Sequence, residues 1–498
     1  MITLRDDQGQ GVQDLRGAMR SHRRVLFRAP CGYGKTIVST YIANSSVQKN
    51  KKVIFGVHRR ELANQTARTF KRFGLPVSFI MDGMGYNPDS PIHIASADTL
   101  RTRHELIDCN LFIPDEAHLW GDGTRRDIIE TAYQRGSYIL NLTATPARGD
   151  GKPLSSIADV IVYTTTEREL IERGDLARYK LIAPVQPNLS LLEKNGADYS
   201  KKSINELFKS PAVVSDAVKY YLKYAFPRRM IGYAHSRKRG AELAAEFTAS
   251  GIPSLFIDGE TPQDERAEAI RKFADREILV LFNCALFREG FDLSAAVGRD
   301  VPIEAVGLYV PTSSLPLAIQ MMMRGMRPQE DVSIILDHAS VCLNADGTDN
   351  HGLPDDDRSW SLTSDVKTKK SDAEAIIPTV ICGQCFSIYR PSSRASCPYC
   401  GHDRDRNGRQ IREIQQEMIE NDLEKRRLER EAIDQESIRK QKRRREGMAK
   451  TIDELISIAV DEGHNPFWVV HKAKHKKIKT SREEVLKKYR IAKNKKSE

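Results

Sequence analysis

The stretch APCGYGKTIV, residues 29–38, has the composition of a phosphate-binding loop, although an alanine stands where the usual pattern has its first glycine. It follows the apolar residues VLF at 25–27. A glycine-bearing loop between a strand and a helix presents backbone N–H groups to phosphate oxygens. Lys35 is expected to reach the β- and γ-phosphates, and the Thr36 hydroxyl is expected to bind Mg²⁺. We therefore predict that ATP and Mg²⁺ bind here, with loop contacts from Ala29, Gly32, Gly34, Lys35 and Thr36.

Two carboxylates in LFIPDEAH, residues 111–118, could supply the hydrolytic half of this chemistry. The apolar run predicts a strand that ends at Asp115 and Glu116. Asp115 is placed to hold Mg²⁺ through water, and Glu116 is placed to orient and deprotonate an attacking water. The alternative is a plain acidic turn at a strand end, and the phosphate loop earlier in the chain argues against it.

The elements that must position these loops form two series of strands. Short β-rich runs alternate with longer helical patterns up to about residue 345, which predicts parallel sheets built from βαβ units. A polar, Pro-containing stretch around 146–215 separates the two series, so we predict an α/β fold with two domains in tandem. The predicted strands are VLFRA (25–29), KVIFGVH (52–58), IHIAS (92–96), LFIPD (111–115), YILNLTA (138–144), MIGYAHS (230–236), SLFIDG (254–259), ILVLFN (278–283), AVGLYVP (305–311) and VSIILDH (332–338).

Length and composition favour a basic protein of several domains. The chain has 498 residues, 29% of them charged, a net charge of +11 and a pI of about 9.1. Such a balance favours a polyanionic partner. The N-terminus lacks the apolar region of a secretory signal, and no run is apolar for long enough to span a membrane. These features indicate a cytoplasmic protein with no membrane partner.

Four of the eight cysteines are concentrated in one segment, ICGQCFSIYRPSSRASCPYCG. Two Cys-x₂-Cys pairs with this separation suit a tetrahedral Zn²⁺, and four thiolates leave no open position for catalysis. We predict a structural zinc held by Cys382, Cys385, Cys397 and Cys400. The sequence leaves open whether this module contacts nucleic acid or only folds its own region.

Roughly the first 340 residues resemble the DEAD/DEAH-box branch of the superfamily 2 helicases, with the motifs in that family's order. The closest likeness is to prophage-type helicases and to the bacterial RadD-type DNA-repair ATPases. The resemblance implies two RecA-like domains that bind ATP between them. It rests on the loop and acid pair above and on LRDDQ (4–8), VHRRELANQ (57–65), SADTL (96–100), LTATP (142–146), YAHS (233–236), FNCALFREGFD (282–292) and QMMMRGMRP (320–328).

The resemblance implies roles for further residues. Gln8 would read the adenine, and Arg324 and Arg327 would reach from the second domain to stabilise charge on the γ-phosphate, so that hydrolysis requires domain closure. Met323 stands where the family has a glycine. The implied catalytic residues are Lys35, Glu116, Arg324 and Arg327, and further nucleotide contacts are Gly290, Asp292 and Gln320.

The resemblance also implies contacts with nucleic acid through loops at the ends of strands. Contacts to the phosphate backbone give affinity with little choice of sequence, so we expect sequence-tolerant binding. Trp120 could stack on a base or pack in the core. The predicted contacts are Arg59, Arg60, Ser96, Thr99, Arg101, His235, Ser236 and Arg237.

Beyond the two core domains the composition changes. The segment RKQKRRR at 439–445 and the twelve Lys and Arg of residues 467–498 concentrate positive charge near the C-terminus. This end is interpreted as a nucleic-acid-binding appendage, the alternative being a solvated charged tail. The predicted domains are 1–165 and 166–345 (RecA-like), 346–377 (linker), 378–402 (zinc module), 403–450 (long charged helix) and 451–498 (basic helical tail).

These observations predict an ATP-dependent motor on nucleic acid, with DNA favoured and RNA possible as the partner. It would act in phage or bacterial DNA replication, recombination or repair. Two rival interpretations are an RNA helicase or remodeller, and an ATP-switched, zinc-containing scaffold that binds nucleic acid without unwinding it. The charged C-terminal helix would also offer a surface for protein partners.

Overall fold

The structure is a computed structural model, and it describes most of the chain in two compact units, residues 1–406 and 407–498, which are treated separately. The described residues are 2–184, 186–196, 198–208, 217–284, 293, 297–344, 347–363, 379–391, 396–403, 446–476 and 478–497, without the side chains of residue 61 and of 495–497. Among the described helices, none has the length and apolarity needed to cross a membrane.

The first half of unit 1 is a parallel sheet in the order β3-β4-β2-β5-β6-β1-β7. Helices cover both of its faces, which is why central strands such as VIFGV are apolar at every position. The strands are β1 Arg24–Arg28, β2 Val53–Val57, β3 Ser78–Ile80, β4 Ile92–Ser96, β5 Leu111–Pro114, β6 Tyr138–Thr143 and β7 Val160–Tyr163. The helices are α1 Asp6–Ser21, α2 Lys35–Val47, α3 Arg60–Arg72, α4 Ala97–Thr102 and α5 Gly123–Gln134.

The second half of unit 1 is a sheet in the order β12-β13-β11-β14-β15-β8-β17-β16, parallel except for its last hairpin. A small separate hairpin is formed by β9 Lys194–Asn195 and β10 Asp198–Tyr199. The strands are β8 Tyr179–Ile182, β11 Met230–Ala234, β12 Ser254–Ile257, β13 Val280–Asn283, β14 Ala305–Tyr309, β15 Ser333–Asp337, β16 Val380–Ile381 and β17 Ser387–Tyr389. The helices are α6 Glu167–Glu172, α7 Lys201–Leu207, α8 Ala217–Tyr224, α9 Arg237–Ala249, α10 Gln263–Ala274 and α11 Leu315–Met323.

The predicted fold class is confirmed, since all ten predicted strands lie in two parallel sheets with helices packed on them. The sequence prediction missed β3, β7 and β8, which are only three or four residues long. Strand β8 precedes the rest of its sheet in the chain, so the connection between the two sheets runs through residues 164–178, around the predicted boundary at 165/166.

Residues 347–363 form an ordered strap along unit 1, which differs from the linker predicted from their acidic composition. Trp360 is only 7% exposed, and its carbonyl accepts a hydrogen bond from the Tyr163 hydroxyl at 2.6 Å. Leu362 O accepts from the amides of Leu154 and Ser155, each at 3.0 Å. The C-terminal end of the strap thus packs against the first domain.

The other part of the strap is tied to the second domain and its terminal hairpin. Asp356 accepts two hydrogen bonds from Arg390, which follows β17, at 2.8 and 2.5 Å. Asp355 accepts from the hydroxyl of Tyr179 in β8. Asp355 and Asp356 are therefore partners of half-buried groups rather than solvated charges.

Unit 2 contains three short helices in its described part, α12 Ile452–Glu462, α13 Pro466–His475 and α14 Arg482–Ser497. Thr451 and Glu454 form a capping box that begins α12, and Gly463 in the left-handed conformation ends it. Leu455, Val469 and Val485, one from each helix, have no exposed surface and form the centre of a small core. The predicted charged helix at 403–450 falls almost wholly outside the described residues.

Candidate active site and metal centre

The phosphate loop leaves β1 and begins α2, as the sequence predicts. Gly32 and Gly34 have φ of 85° and 90°, a region that glycine occupies without strain. A Cβ at Gly32 would lie 2.4 Å from Leu176 of the connection between the sheets. Gly34 caps α2, so the first amides of that helix face the space above the loop. The loop therefore has the form of an anion cradle, which fits a nucleotide's phosphates.

The loop is held from behind by the first helix. Gln8 is 4% exposed, and its Nε2 donates to the Tyr33 carbonyl at 2.7 Å. Its Oε1 accepts from the Arg5 amide at 3.1 Å, and the Tyr33 hydroxyl donates to Asp7 O at 2.9 Å. Gln8 is thus positioned beside the loop with its amide bonded to protein, and its reading of adenine stays a prediction.

The acid pair meets the phosphate loop directly. Lys35 Nζ lies 3.1 Å from Glu116 Oε1, and both side chains are largely buried. Glu116 has a left-handed backbone, φ 50° and ψ 58°, an uncommon conformation for a residue with a side chain. Asp115 accepts the Glu116 amide at 3.0 Å. The turn after β5 thus directs the Glu116 carboxylate at the loop.

The two carboxyls have different electrostatic surroundings. Burial and the neighbouring Glu116 carboxylate raise the pKa of Asp115 to about 6. Burial opposes ionisation of Glu116 as well, but Lys35 and His118 outweigh it and lower the pKa of Glu116. The imidazole of His58 also favours ionisation of both groups. Glu116 is therefore ionised at neutral pH and can accept a proton.

The acid-pair segment is connected to the LTATP segment after β6. His118 Nδ1 lies 3.2 Å from Thr143 Oγ1, and that oxygen also accepts the Thr145 amide at 3.1 Å. A change at the acid pair can therefore be transmitted to this loop through one side chain.

Trp120 belongs to the core and does not support base stacking. Its indole has no exposed surface, and its Nε1 donates to the Asp115 carbonyl at 2.8 Å. The ring packs edge-on against Phe112, and the absence of a side chain at Gly56 makes room for it. Its contact with Asp115 helps to fix the acid pair.

The second domain contributes Arg324 to the same region. It follows α11, hydrogen-bonds the Tyr233 hydroxyl, and lies near enough to Cys31 to oppose the rise of that thiol's pKa to about 11, which burial causes. Met323 has ordinary helical dihedrals, φ −68° and ψ −11°, so the missing glycine requires no distortion. Two residues after Arg324, the Met326 carbonyl accepts a hydrogen bond from the Ala177 amide of the connection at 2.9 Å.

The side-chain amide of Gln320 is buried without hydrogen-bond partners among the described residues. It is 8% exposed, and neither its Nε2 nor its Oε1 has a hydrogen-bond partner among the described residues. A buried amide without partners is costly, which fits a group that binds something added to the site. Arg327 lies just beyond Arg324, whereas the predicted contacts Gly290 and Asp292 lie outside the described residues.

The predicted nucleic-acid contacts of the first domain have mixed environments. Ser96 caps α4 by accepting the Thr99 amide at 3.1 Å, and Thr99 is only 4% exposed, so both side chains act in the fold. Arg60 donates to the Asp82 carbonyl. Arg59 is half-buried at the start of α3, and Arg101 is exposed. Arg60 and Arg101 are thus the exposed groups of this set.

The predicted nucleic-acid contacts of the second domain also interact with other groups of the protein. His235 packs against the Phe208 ring at 4.9 Å, and burial lowers its pKa. Ser236 caps α9. Arg237 forms ion pairs with Asp258 and Glu260. Contact of Arg237 with a phosphate would have to compete with these carboxylates, and its role stays a prediction.

Sequence reasoning passed over three contributors to the nucleotide site. Leu176 fills the space beside Gly32, Tyr233 positions Arg324, and Thr143 receives His118. Thr143 and Tyr233 lie in the LTATP and YAHS motifs, although neither residue was given a role from the sequence. Leu176 lies in the connection, where an apolar residue predicts packing and nothing more.

The four cysteines converge as predicted. Their sulfurs lie within 4.8 Å of one another, with Cys382 to Cys400 at 3.6 Å and Cys385 to Cys397 at 3.8 Å. A disulfide would need about 2.05 Å, whereas four Zn–S bonds of about 2.3 Å in a tetrahedron separate the sulfurs by about 3.8 Å. The donor set fits structural zinc. The surrounding hairpin pairs with β8, so this module extends the second sheet.

Comparison with known proteins matches both domains. The family model of the type III restriction enzyme res subunit matches residues 1–148, and the helicase conserved C-terminal domain matches residues 213–329. The ATP-dependent type ISP restriction-modification enzyme LlaBIII bound to DNA has a similar fold, with a TM-score of 0.50, 16% identity, and 67% of this chain and 27% of that chain covered.

Curated relatives include phage, archaeal and yeast proteins. A 51.5 kDa protein of Lactococcus phage (isolate 7-9) is 30% identical over 381 residues, 76% of this chain and 78% of that protein. IRC3 of Saccharomyces cerevisiae, named as a candidate ATP-dependent helicase, is 28% identical over 65% of this chain and 49% of its own length. The DNA 3'-5' translocase XPB2 of Sulfurisphaera tokodaii is 26% identical over 59% of this chain and 73% of that protein.

Proposed function

Because the chain belongs to the superfamily 2 helicases, we propose that it is an ATP-driven motor that moves along DNA without choosing sequence. The observation that carries the proposal is the meeting of Lys35, Glu116 and Arg324, from opposite halves of unit 1, beside one anion cradle. DNA is favoured because one relative is a DNA translocase and one structural neighbour is bound to DNA. Because a phage protein is among the relatives, we extend the proposal to a role in phage or bacterial DNA replication, recombination or repair, in the cytoplasm.

In the proposed cycle, Lys35 exchanges one anionic partner for another. Its ammonium pairs with Glu116 at 3.1 Å, and triphosphate oxygens in the cradle would draw it away. The Glu116 carboxylate is then available to orient a water and accept its proton. Thr36 and Asp115 would hold Mg²⁺, which neutralises phosphate charge when bound.

Arg324 supplies the link between turnover and motion. A guanidinium near the γ-phosphate stabilises charge that develops in the transition state. Because Arg324 and Gln320 belong to the second domain, each cycle would tighten and then loosen the two domains about the connection at 164–178. Arg327 is assigned a similar role from its place in the same turn.

The test is ATPase activity of Glu116→Gln with ssDNA, dsDNA, forks, junctions and RNA as activators. The substitution keeps the shape of the side chain but removes the proton acceptor, so kcat should fall by about 10²- to 10⁴-fold while ATP binding remains. Glu105→Gln, at an exposed carboxylate, is the matched control. Wild-type turnover by Glu116→Gln would refute the assignment of the base.

The same panel separates the rival functions. Stimulation by RNA above every DNA would identify an RNA remodeller. Nucleic-acid-stimulated ATP turnover without strand separation or translocation would identify an ATP-switched scaffold.

A further inference from the structure

We propose that the outer faces of α13 and α14 in unit 2 bind the phosphates of a nucleic acid, as a contact separate from the motor loops. This inference rests on the proposed function, because it assumes that the chain acts on nucleic acid. Charge in unit 2 is sharply divided. Residues 466–497 hold twelve Lys and Arg against two Glu, whereas residues 446–462 hold five Asp and Glu against one Lys.

Three lysines of this unit already have protein partners. Lys472 pairs with Glu446 at 2.6 Å, Lys488 pairs with Asp453 at 3.1 Å, and Lys476 donates to two backbone carbonyls. A second group of cations is exposed and, within the described residues, has no carboxylate at ion-pair distance. This group consists of Lys474, Lys479, Arg482, Lys487 and Arg490.

Helical spacing directs three of these cations, Lys474, Lys487 and Arg490, away from the core. On α13, Phe467, His471 and Lys474 follow one another at intervals of four and three, opposite the buried Val469 and Ala473. The two stripes of the helix therefore have different surroundings, one within the bundle and one in solvent.

On α14, Lys487 and Arg490 lie opposite the buried Val485 and Tyr489 in the same way. Glu483 is the one carboxylate on that outer stripe among the described side chains. The cations on this solvent-exposed stripe of α14 thus outnumber its carboxylate.

An aromatic ring lies where the two helices begin. Phe467 is 52% exposed, although the unit is small and has few apolar residues to spare for its core. The Arg482 guanidinium lies 4.7 Å from the centre of this ring. An exposed ring flanked by a cation can stack on an unpaired base while the lysines contact the backbone.

Charge complementarity selects a polyanion as the occupant. Five cations on the two helices and the segment between them, with no carboxylate partner among the described residues, match the repeated phosphates of a nucleic-acid backbone, whether single- or double-stranded. The acidic face formed by α12 would be repelled by the same polymer, so only one side of the unit can face it. A strand held here would stay tethered to the chain while the two core domains open.

The experiment compares the full-length chain with its Lys474→Ala/Lys487→Ala/Arg490→Ala variant, by fluorescence anisotropy on labelled ssDNA and dsDNA between 50 and 300 mM salt. If three phosphate contacts are lost, the slope of log K against log salt should decrease by about 2 to 3, and binding at low salt should weaken by roughly tenfold or more. The matched control is Lys49→Ala/Lys51→Ala/Lys272→Ala, which removes the same charge from unit 1. Unfolding curves establish that the variant is folded.

Two further readouts separate the outcomes. Phe467→Ala should weaken binding of ssDNA more than binding of dsDNA if the ring stacks on a base. With the triple variant, basal ATPase and the maximal stimulated rate should stay unchanged while more DNA is needed for half-stimulation, whereas failure of the motor proposal would leave the wild-type chain without stimulation. Equal affinity and equal salt slope for wild type and triple variant would overturn the inference and leave the face to an acidic protein partner.

Discussion

Truncation of Trp360 to alanine should release the strap from the first domain while the rest of the chain stays folded. The indole is 7% exposed and packs in the main core, where loss of a large aromatic costs about 3–5 kcal/mol. Since 1.4 kcal/mol corresponds to a factor of ten, the equilibrium for local opening should rise by about 10²- to 4 × 10³-fold. The Arg390–Asp356 contact should keep the other part of the strap in place.

The assay is native-state hydrogen exchange at the amides of Leu154 and Ser155, because both donate to the Leu362 carbonyl of the strap. Their protection should fall by that factor in Trp360→Ala, and amides in β11 should keep theirs. Tyr163→Phe is the graded control, because loss of one hydrogen bond of about 1 kcal/mol should lower protection only about fivefold. Unchanged protection at Leu154 and Ser155 in Trp360→Ala would show that the strap does not hold this contact.

Two other predictions concern acid and metal. Burial lowers the pKa of His338 from 6.5 to about 3, so the unfolded chain binds a proton that the folded chain does not. The contribution of His338 to the free energy of unfolding should therefore be fully present above pH 6.5 and should be lost as the pH falls towards 3. Denaturant titrations should show that the free energy of unfolding depends less on pH in His338→Phe than in wild type, and the same dependence in both would exclude this histidine as the cause. The purified chain should contain about one zinc per molecule, and Cys397→Ser should lose it together with the exchange protection of β8; retention of stoichiometric zinc by that variant would refute the four-cysteine site.

The sequence predicted the elements and motifs that are local in the chain. Long apolar runs became central strands, and the acid pair lies opposite the phosphate loop, because parallel strands bring their carboxyl ends to one edge. The short strands β7 and β8 were missed because four residues give too little pattern.

Roles that depend on distant partners could not be predicted. The composition of the strap indicated a linker, because carboxylates such as Asp355 and Asp356 are polar in sequence, and only the fold supplies Tyr179 and Arg390 as their partners. Likewise a serine after a strand can cap a helix or bind a phosphate. The contacts of Ser96 show the first role, and the second stays a prediction.

The hairpin of the zinc module has a consequence for solubility. Without it, β8 would be the outermost strand of a long parallel sheet, and its unpaired amides and carbonyls could recruit the same strand of another molecule. The hairpin covers this edge of the sheet and leaves β16 as the new edge strand. Because β16 has only two residues, it offers few backbone groups with which another molecule could pair. We therefore expect chains made under zinc starvation to be lost chiefly through self-association, even if their motor site could still form.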